Sequence, residues 1–248
     1  MAFEAGCQTG TKGSGKNMAE KINTDVIYNE LVSELVALDH LPGEIISENY
    51  LCRRYGISRT PARSVLQRLC QAGFLEIVPS KGSIVTPIHT DIVNQYIFMR
   101  VAVESRVLQD FIRIATPAEK EKVRYCIAVH EAAAAPYMES GDLPLAEVDD
   151  LMQKDLQIHR CYYQATGKLY IFDLLTQPKP DYSRFIRLDI VGGSNLKDVI
   201  GEHHRLMEII DGGQSDQIES LLSQHLYGGV RRITPKITTS QYKNYFIE

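Results

Sequence analysis

Residues 56–63 read Gly-Ile-Ser-Arg-Thr-Pro-Ala-Arg and lie between two short helical patterns. Ser47 is the predicted N-cap of the first pattern, which ends at Gly56, because its hydroxyl can accept from free backbone N–H groups of the first turn. Ser58 opens the second pattern, which carries apolar residues at helical spacing and ends at Gly73. Two helices joined by a glycine turn form a helix-turn-helix, so this stretch predicts a motif that reads nucleic acid.

The flanking sequence predicts the rest of a winged domain. A helical pattern over residues 25–38, with Thr24 as its predicted N-cap, comes before the motif. After the motif, residues 74–78 and 83–86 are predicted as two short strands joined through a Pro-Ser-Lys-Gly turn. We therefore predict a winged helix-turn-helix domain over residues 21–88.

Positive charge is concentrated in this domain, although the 248-residue chain has a formal net charge of −4. That net charge argues against a protein that coats nucleic acid over its whole surface, so contact with DNA needs a local basic patch. Between residues 51 and 82, six basic residues and one acid give a local charge of +5. The six basic residues are Arg53, Arg54, Arg59, Arg63, Arg68 and Lys81.

The side chains expected to read DNA lie in the first turn of the second motif helix. Arg59 and Arg63 are four residues apart and share one face of that helix. A recognition helix enters the major groove by its N-terminal turn, where a guanidinium bonds guanine O6 and N7 and free N–H groups favour phosphate. We predict that Arg59 and Arg63 contact bases and that Ser58 and Thr60 contact phosphates. The alternative is that these arginines only solvate an exposed helix face.

The remaining composition is typical of a globular protein in a reducing compartment. The five cysteines are far apart and form no Cys-x-x-Cys pattern, which favours free thiols. The sequence has neither an apolar run long enough to span a membrane nor the apolar core of a signal peptide, so we expect a cytoplasmic protein without a membrane partner. Residues 1–20 lack apolar periodicity, which predicts a flexible extension. Met18 is an alternative start that would exclude residues 1–17 from the natural protein.

From residue 89 onward the apolar periodicity is helical, which predicts an all-α domain for effector binding and dimerisation over residues 89–235. Residues 236–248 form a short apolar tail that is expected to cover the bundle or a partner subunit. Capping residues, glycines and prolines divide the domain into seven predicted helices of one bundle. The predicted helices cover residues 91–114, 117–135, 145–166, 169–176, 181–191, 196–211 and 216–233.

Three of these helices carry residue types that bind divalent metals. Asp155 and His159 are four residues apart, the spacing that lets two side chains of one helix bind one ion. His203 and His225 lie on the last two predicted helices. One carboxylate and three imidazoles suit a divalent metal, with zinc first and nickel or manganese as alternatives. Taken alone, the Asp155 and His159 pair is also explained by a surface hydrogen bond.

Both halves of the chain resemble one family. The stretch 56–63, together with the later Leu66, Leu69, Gly73, Phe74-Leu75 and Lys81-Gly82, is similar to the winged helix of the GntR transcriptional regulators. The C-terminal helices look like the metal-binding FCD domain of the FadR-type subfamily, whose pattern is Asp-x-x-x-His, then Glu-His, then His. The matching residues here are Asp155 with His159, Glu202 with His203, and His225.

The resemblance implies a mainly α fold, in which a winged helix-turn-helix of three helices and a β-hairpin precedes an all-α bundle of six to seven helices. It also implies that Lys81 and Gly82, at the tip of the wing, approach DNA. In the sensor domain Arg100 and Glu104 fit the family, and Arg100 becomes the expected contact for a bound carboxylate. One departure is Glu48-Asn49, since many family members carry an arginine beside the acid, so an expected DNA contact is missing or replaced.

The function implied by the resemblance is that of a ligand-responsive bacterial repressor. A homodimer would bind a pseudo-palindromic operator, and a small organic acid or sugar acid at the metal would relieve DNA binding. One alternative is a metal-dependent hydrolase-like enzyme, because such a ligand set with an open position can activate water. The sequence has no nucleophile motif or phosphate loop, so we predict that it is not an enzyme. The other alternative is a metal-responsive regulator with no organic effector.

Overall fold

A computed structural model describes residues 23–140, 143–191 and 195–246. Within these residues the chain is mainly helical, with one two-stranded antiparallel sheet near the N-terminus. The predicted fold class is therefore confirmed. The predictions about residues 1–20 and about Met18 lie outside the described residues.

Three helices and a hairpin form the N-terminal domain. The cap of the first helix differs from the prediction, because Asn23 Oδ1, and not Thr24, accepts from the backbone N–H of Asp25 at 2.9 Å. Thr24 is therefore the first residue of the helix and its hydroxyl is not the cap. The elements are α1 (Thr24–Ala37), α2 (Glu48–Tyr55), α3 (Arg59–Gln71), β1 (Leu75–Val78) and β2 (Gly82–Val85).

The turn between α2 and α3 follows the sequence prediction. Ser47 Oγ accepts from the backbone N–H of Tyr50 at 3.1 Å and caps α2. Gly56 ends α2 with φ of 65°, a left-handed conformation that favours glycine. The turn lets α3 pack against α1 and α2 around one apolar core, whose fully buried members include Ile27, Leu31, Leu35, Leu51, Val65 and Leu69.

The wing has a third extended segment that was not predicted from the sequence. The backbone N–H of Ile46 donates to Ser83 O at 3.0 Å, and the N–H of Val85 donates to Glu44 O at 2.9 Å. These bonds lie between segments that are distant in sequence, so no local sequence pattern predicts them. They fix the hairpin to the loop between α1 and α2.

The C-terminal domain is a helical bundle. Its helices are α4 (Thr90–Ile114), α5 (Pro117–Met138), α6 (Leu145–Ala165), α7 (Leu169–Thr176), α8 (Pro180–Ile190), α9 (Leu196–Gly212), α10 (Ile218–Leu226) and α11 (Gly228–Ile233). Helices α4, α5, α6 and α9 contribute most of its main core, and α5 begins with the predicted capping box of Thr116 and Glu119.

The last predicted helix, 216–233, is divided in the structure. A 3-10 turn at Ser215–Gln217 precedes α10, and α10 and α11 meet at Tyr227. A β-carbon on Gly229 would lie 3.2 Å from Asp189 Oδ2 of α8. Glycine disfavours a continuous helix and also permits this close approach, so the division brings α11 against α8.

The C-terminal tail packs on the segment that joins the two domains. Tyr242 and Phe246 are buried, and the backbone N–H of Ile88 donates to Tyr245 O at 2.7 Å. The tail therefore contacts its own chain, which is one of its two predicted roles.

Candidate functional site

The residues predicted to contact DNA lie on the surface of the N-terminal domain. Helix α3 has no acidic residue in its first turn, so its free N–H groups and its arginines form a positive surface. Lys81 and Gly82 are exposed at the tip of the hairpin. The exposed residues at the start of α3 are Ser58, Arg59, Thr60 and Arg63.

Arg63 is held by an acid from the neighbouring helix. Its Nε donates to Glu48 Oε1 at 2.8 Å and its Nη2 donates to Glu48 Oε2 at 3.4 Å. The hydrogen bond from Arg63 lowers the pKa of Glu48 below its usual value. The side chain of Arg63 remains 64% exposed, so Glu48 orients the guanidinium without covering it.

Two of the six basic residues in the predicted patch are neutralised by α1. Arg54 Nη2 donates to Glu30 Oε1 at 2.6 Å, and Arg54 Nη1 donates to Glu34 Oε2 at 2.9 Å. Arg68 Nη1 donates to Asp25 Oδ1 at 2.8 Å. The predicted local charge of +5 therefore overstates the positive charge of this surface. The acids that pair with Arg54 and Arg68 lie outside residues 51–82, so a count along that stretch omits them. The basic residues not bonded to α1 are Arg53, Arg59, Arg63 and Lys81.

The four predicted metal ligands come together in the C-terminal domain, although they belong to α6, α9 and α10. Their ligand atoms all lie within 4.8 Å of one another. Asp155 Oδ1 lies 3.3 Å from His203 Nε2, and Asp155 Oδ2 lies 3.7 Å from His159 Nε2. The ring centroids of His203 and His225 are 5.0 Å apart. The alternative of a surface pair is wrong for His159, which is 2% exposed.

Two carboxylates orient the histidines of this cluster. Glu104 Oε2 lies 2.7 Å from His159 Nδ1, and Glu202 Oε2 lies 2.9 Å from His225 Nδ1. A carboxylate on Nδ1 leaves Nε2 free to face an ion, which is the usual arrangement around metal-binding histidines. Both Nε2 atoms are therefore available to the centre of the cluster.

The ligand atoms fit a bound cation because several have no other partner. His159 Nε2 and both ring nitrogens of His203 are buried without a hydrogen-bond partner among the described residues, whereas buried polar atoms normally have one. Burial lowers the pKa of His203 well below its usual value, so this imidazole is neutral, as a metal ligand must be. Burial alone would lower the pKa of His225, but the hydrogen bond with Glu202 raises it above its usual value.

The predicted effector contact lies beside the cluster. A cavity of about 150 Å³ is lined by Asp155, His225 and Arg100. Arg100 Nε donates to Glu104 Oε1 at 2.6 Å, and Arg100 Nη1 donates to Tyr182 Oη at 2.5 Å. Arg100 is only 7% exposed, so its charge is directed into the domain and not toward solvent.

His130 was assigned no role from the sequence, but it also lines this cavity. Its ring centroid lies 5.4 Å from that of His203, and its Nδ1 is buried with no hydrogen-bond partner in the part of the chain that the structure describes. It shares the buried face of α5 with Val123 and Ile127. This helical spacing was the only sequence signal that indicated its buried position. His204, the neighbour of His203 in the sequence, is exposed and bonds Glu131.

Comparison with known proteins assigns both domains. The model for "FCD domain" matches residues 95–228, more than half of the chain, and the model for "Bacterial regulatory proteins, gntR family" matches residues 23–85. The chain belongs to the GntR family. Its FCD domain contains the whole histidine and aspartate cluster, and its GntR domain contains α3 and the wing.

Curated relatives of this GntR protein are regulators. The HTH-type transcriptional repressor RspR of Escherichia coli K12 is 23% identical over 212 residues, which cover 85% of this chain and 88% of the relative. An HTH-type transcriptional regulator from an unstable DNA locus of Streptomyces ambofaciens is 25% identical over 206 residues, with 83% of each chain covered. The protein is therefore a DNA-binding transcriptional regulator and not an enzyme.

Solved structures share the fold of the regulator. E. coli McbR/YncC superposes with a TM-score of 0.63 at 15% identity and covers 87% of this chain and 98% of its own. A GntR regulator from Rhodococcus sp. RHA1 superposes with a TM-score of 0.64 at 14% identity, covering 86% and 97%. In the part of the regulator that the structure describes, no helix is both long and apolar enough to cross a bilayer.

Proposed function

We propose that this regulator is a ligand-responsive repressor. A homodimer binds a pseudo-palindromic operator in the bacterial cytoplasm, and a small carboxylate bound at a divalent metal in the FCD domain releases it. The observation that carries the proposal is the position of Arg100, which shares a cavity with a cluster whose ligand atoms lie within 4.8 Å of one another. A metal and a guanidinium in one cavity provide two positive groups for one carboxylate.

On the DNA side, α3 inserts its first turn into the major groove. Arg59 and Arg63 bond guanine edges, while Ser58 and Thr60 contact phosphates that flank them. Glu48 supports this role for Arg63, because an oriented guanidinium loses less conformational freedom on binding. At the wing, the exposed Lys81 and Gly82 approach the backbone and the minor groove.

On the sensor side, Asp155, His159, His203 and His225 hold the metal. Three imidazoles and one carboxylate favour zinc, and nickel and manganese also suit this ligand set. When bound, the ion supplies a Lewis acid that attracts the carboxylate of an effector. Arg100 orients the second carboxylate oxygen, and Glu104 keeps Arg100 and His159 in place.

The size of the cavity favours a short organic acid over a sugar acid. An apolar protein cavity of about 150 Å³ accommodates benzene, a ligand with six non-hydrogen atoms. The present cavity has a similar volume and has apolar walls from Leu151, Ile186 and Leu196. A chain of six hydroxylated carbons would place its hydroxyl groups against these apolar walls.

The proposed function is tested by selecting duplexes from a random library with the native protein and then adding acids. Acetate, lactate, malate and gluconate are titrated in the presence of Zn²⁺ or of a chelator, with fluorescence anisotropy as the readout. We expect a short acid to weaken duplex binding by about 5- to 150-fold, and only with metal. Release by Zn²⁺ alone would instead indicate a metal-responsive regulator. Failure to select any duplex over random competitor would contradict the regulator mechanism.

The homodimer is supported by exposed apolar side chains of α4 and α7. Tyr96 of α4 bonds the carbonyl of Leu175 near the end of α7, which connects these two helices. Monomers rarely expose extended apolar patches, and a second copy is the partner that a two-fold operator requires. The exposed residues of this dimer face are Ile92, Phe98, Met99, Tyr170, Ile171 and Leu174.

Phe98→Asp is expected to convert the dimer to a monomer, because it places a charge in the proposed apolar interface. Light scattering after size exclusion should then give the mass of one 28.0 kDa chain. Tyr125→Asp is the matched control, since Tyr125 is 68% exposed on α5 and Phe98 is 69% exposed. A native protein that already runs as a monomer, or a Phe98→Asp variant that remains dimeric, would contradict this interface.

A further inference from the structure

Helix α8 contacts both the sensor cavity and the segment that leads to the DNA-reading domain. On the cavity side, Tyr182 Oη accepts from Arg100 Nη1 at 2.5 Å, and Tyr182, Ser183 and Ile186 line the cavity wall. Asp189, near the end of the helix, accepts from Arg232 Nε of α11 at 2.8 Å. One face of α8 is thus part of the proposed effector site.

On its other side, α8 holds residues 86–87 through one buried arginine. Arg184 is 1% exposed, and its Nη1 donates to Thr86 O at 2.5 Å. Its Nη2 donates to Thr86 Oγ1 at 3.2 Å and to Pro87 O at 3.1 Å. Burial lowers the pKa of Arg184 to about 10. Among the described residues no carboxylate lies within ion-pair distance of it, so its charge is satisfied mainly by the oxygens of this segment.

Three further contacts connect α8, the joining segment and the residues just after α3. Asp181 Oδ1 accepts from the backbone N–H of His89 at 2.7 Å and lies 3.0 Å from its Nδ1. Thr86 Oγ1, which Arg184 contacts, donates to Gly73 O at 2.9 Å just after the end of α3. Pro180 Cγ lies 3.2 Å from the place of a β-carbon on Gly73. The N-terminal turn of α8 therefore reaches the end of the reading helix.

We propose that α8 couples the sensor cavity to the DNA-reading domain, with Arg184 and Asp181 as the positioning residues that set the orientation of that domain. This inference rests on the proposed function for its effector. Tyr182, Asp181 and Arg184 lie within one turn of a single helix, so a displacement at Tyr182 moves the other two with it. A ligand that engages Arg100 alters its bond to Tyr182, and the shift reaches residues 86–89 through a short rigid element.

The test is a double-mutant cycle between the two sides of α8, with backbone hydrogen exchange as the readout. Tyr182→Phe removes the hydroxyl that bonds Arg100 and keeps the ring. Arg184→Lys keeps the charge but loses the planar set of donors. In the native background we expect Tyr182→Phe to speed amide exchange at residues 88–89 about fivefold, the change expected for one lost hydrogen bond. In the Arg184→Lys background we expect Tyr182→Phe to add no change.

The matched control is Arg187→Lys. Arg187 is also a buried arginine of α8, but it bonds Asp149 of α6 and not the joining segment. With Arg187→Lys the effect of Tyr182→Phe is expected to persist. The coupling is overturned if Tyr182→Phe leaves exchange at residues 88–89 unchanged, if its effect is the same with Arg184→Lys, or if Arg187→Lys removes it equally.

Circular dichroism checks that each variant folds. If Arg184→Lys does not fold, Asp181→Ala takes its place in the cycle with the same expected and contradicting outcomes, and exchange is then read at Ile88 alone because this variant removes the acceptor of the His89 amide. No step uses DNA or an effector. A failed cycle therefore rejects the coupling by α8, whereas a failed duplex selection rejects the proposed function.

Discussion

Arg59→Ala and Arg63→Ala are each expected to weaken binding of the selected duplex by about 10- to 100-fold, the loss typical of one guanidinium that bonds guanine. Binding to random duplex should fall much less, because a contact to a base edge contributes to sequence preference more than to general attraction. Both side chains are exposed, so the melting temperature should change little. Fluorescence anisotropy with specific and random duplexes measures the ratio, and circular dichroism measures the fold.

Two further variants make this first prediction specific. Lys81→Ala is expected to weaken binding to all duplexes to a similar extent and to reduce the salt dependence by about one unit of slope, as the loss of one phosphate contact would. Arg113→Ala changes an exposed arginine at the end of α4 and should leave both affinities unchanged. An unaltered preference for the selected duplex in both Arg59→Ala and Arg63→Ala would remove these residues from the reading surface.

Changing His203 and His225 together to alanine is expected to abolish metal binding. Each change removes an imidazole that has no substitute among the remaining ligands, since Asp155 and His159 alone offer two donors from one helix turn. At a hundredfold excess over its dissociation constant, Zn²⁺ should stabilise the native protein by about 2.7 kcal/mol. The double variant should lose this stabilisation and should contain no zinc by elemental analysis.

His204→Ala is the matched control for this second prediction. His204 is next to His203 in sequence, but it is exposed and bonds Glu131 at 3.1 Å. Its replacement should leave the zinc content and the zinc-dependent rise in melting temperature unchanged. Full zinc occupancy in the double variant, with an unchanged thermal shift, would mean that the ligand set is wrong. The acid response of the double variant should also disappear, because the proposed carboxylate contact depends on the ion.

The metal centre could be predicted as a set of residues but not as an arrangement. The spacing of Asp155 and His159 places both on one helix face, which is a local property. Whether His203 and His225 approach this pair depends on how α9 and α10 pack against α6. Residue spacing does not predict that packing, and the resemblance to the family indicated these two ligands instead. His130 was missed because a histidine on an apolar helix face resembles an ordinary core residue until its neighbours are known.

For the basic patch, in contrast, the sequence alone overestimated the positive charge. Counting charges along residues 51–82 suggested a net excess of five, but Arg54 and Arg68 are bonded to acids of α1. From the sequence, Glu48 was notable only for the arginine that is missing beside it, whereas in the structure it bonds Arg63. Net charge along a sequence ignores partners that folding brings from elsewhere.

The sequence itself determined four features. These are the order of elements, the glycine turn of the reading motif, the capping box of α5 and the helical character of the C-terminal domain. Each depends on interactions between residues within about one or two turns of each other, and such interactions leave a readable period or cap. The tertiary structure alone decided that Arg100 lines the cavity, that Arg184 bonds the joining segment, and that α11 packs against α8. These features depend on contacts between distant segments, which exist only once the helices have packed.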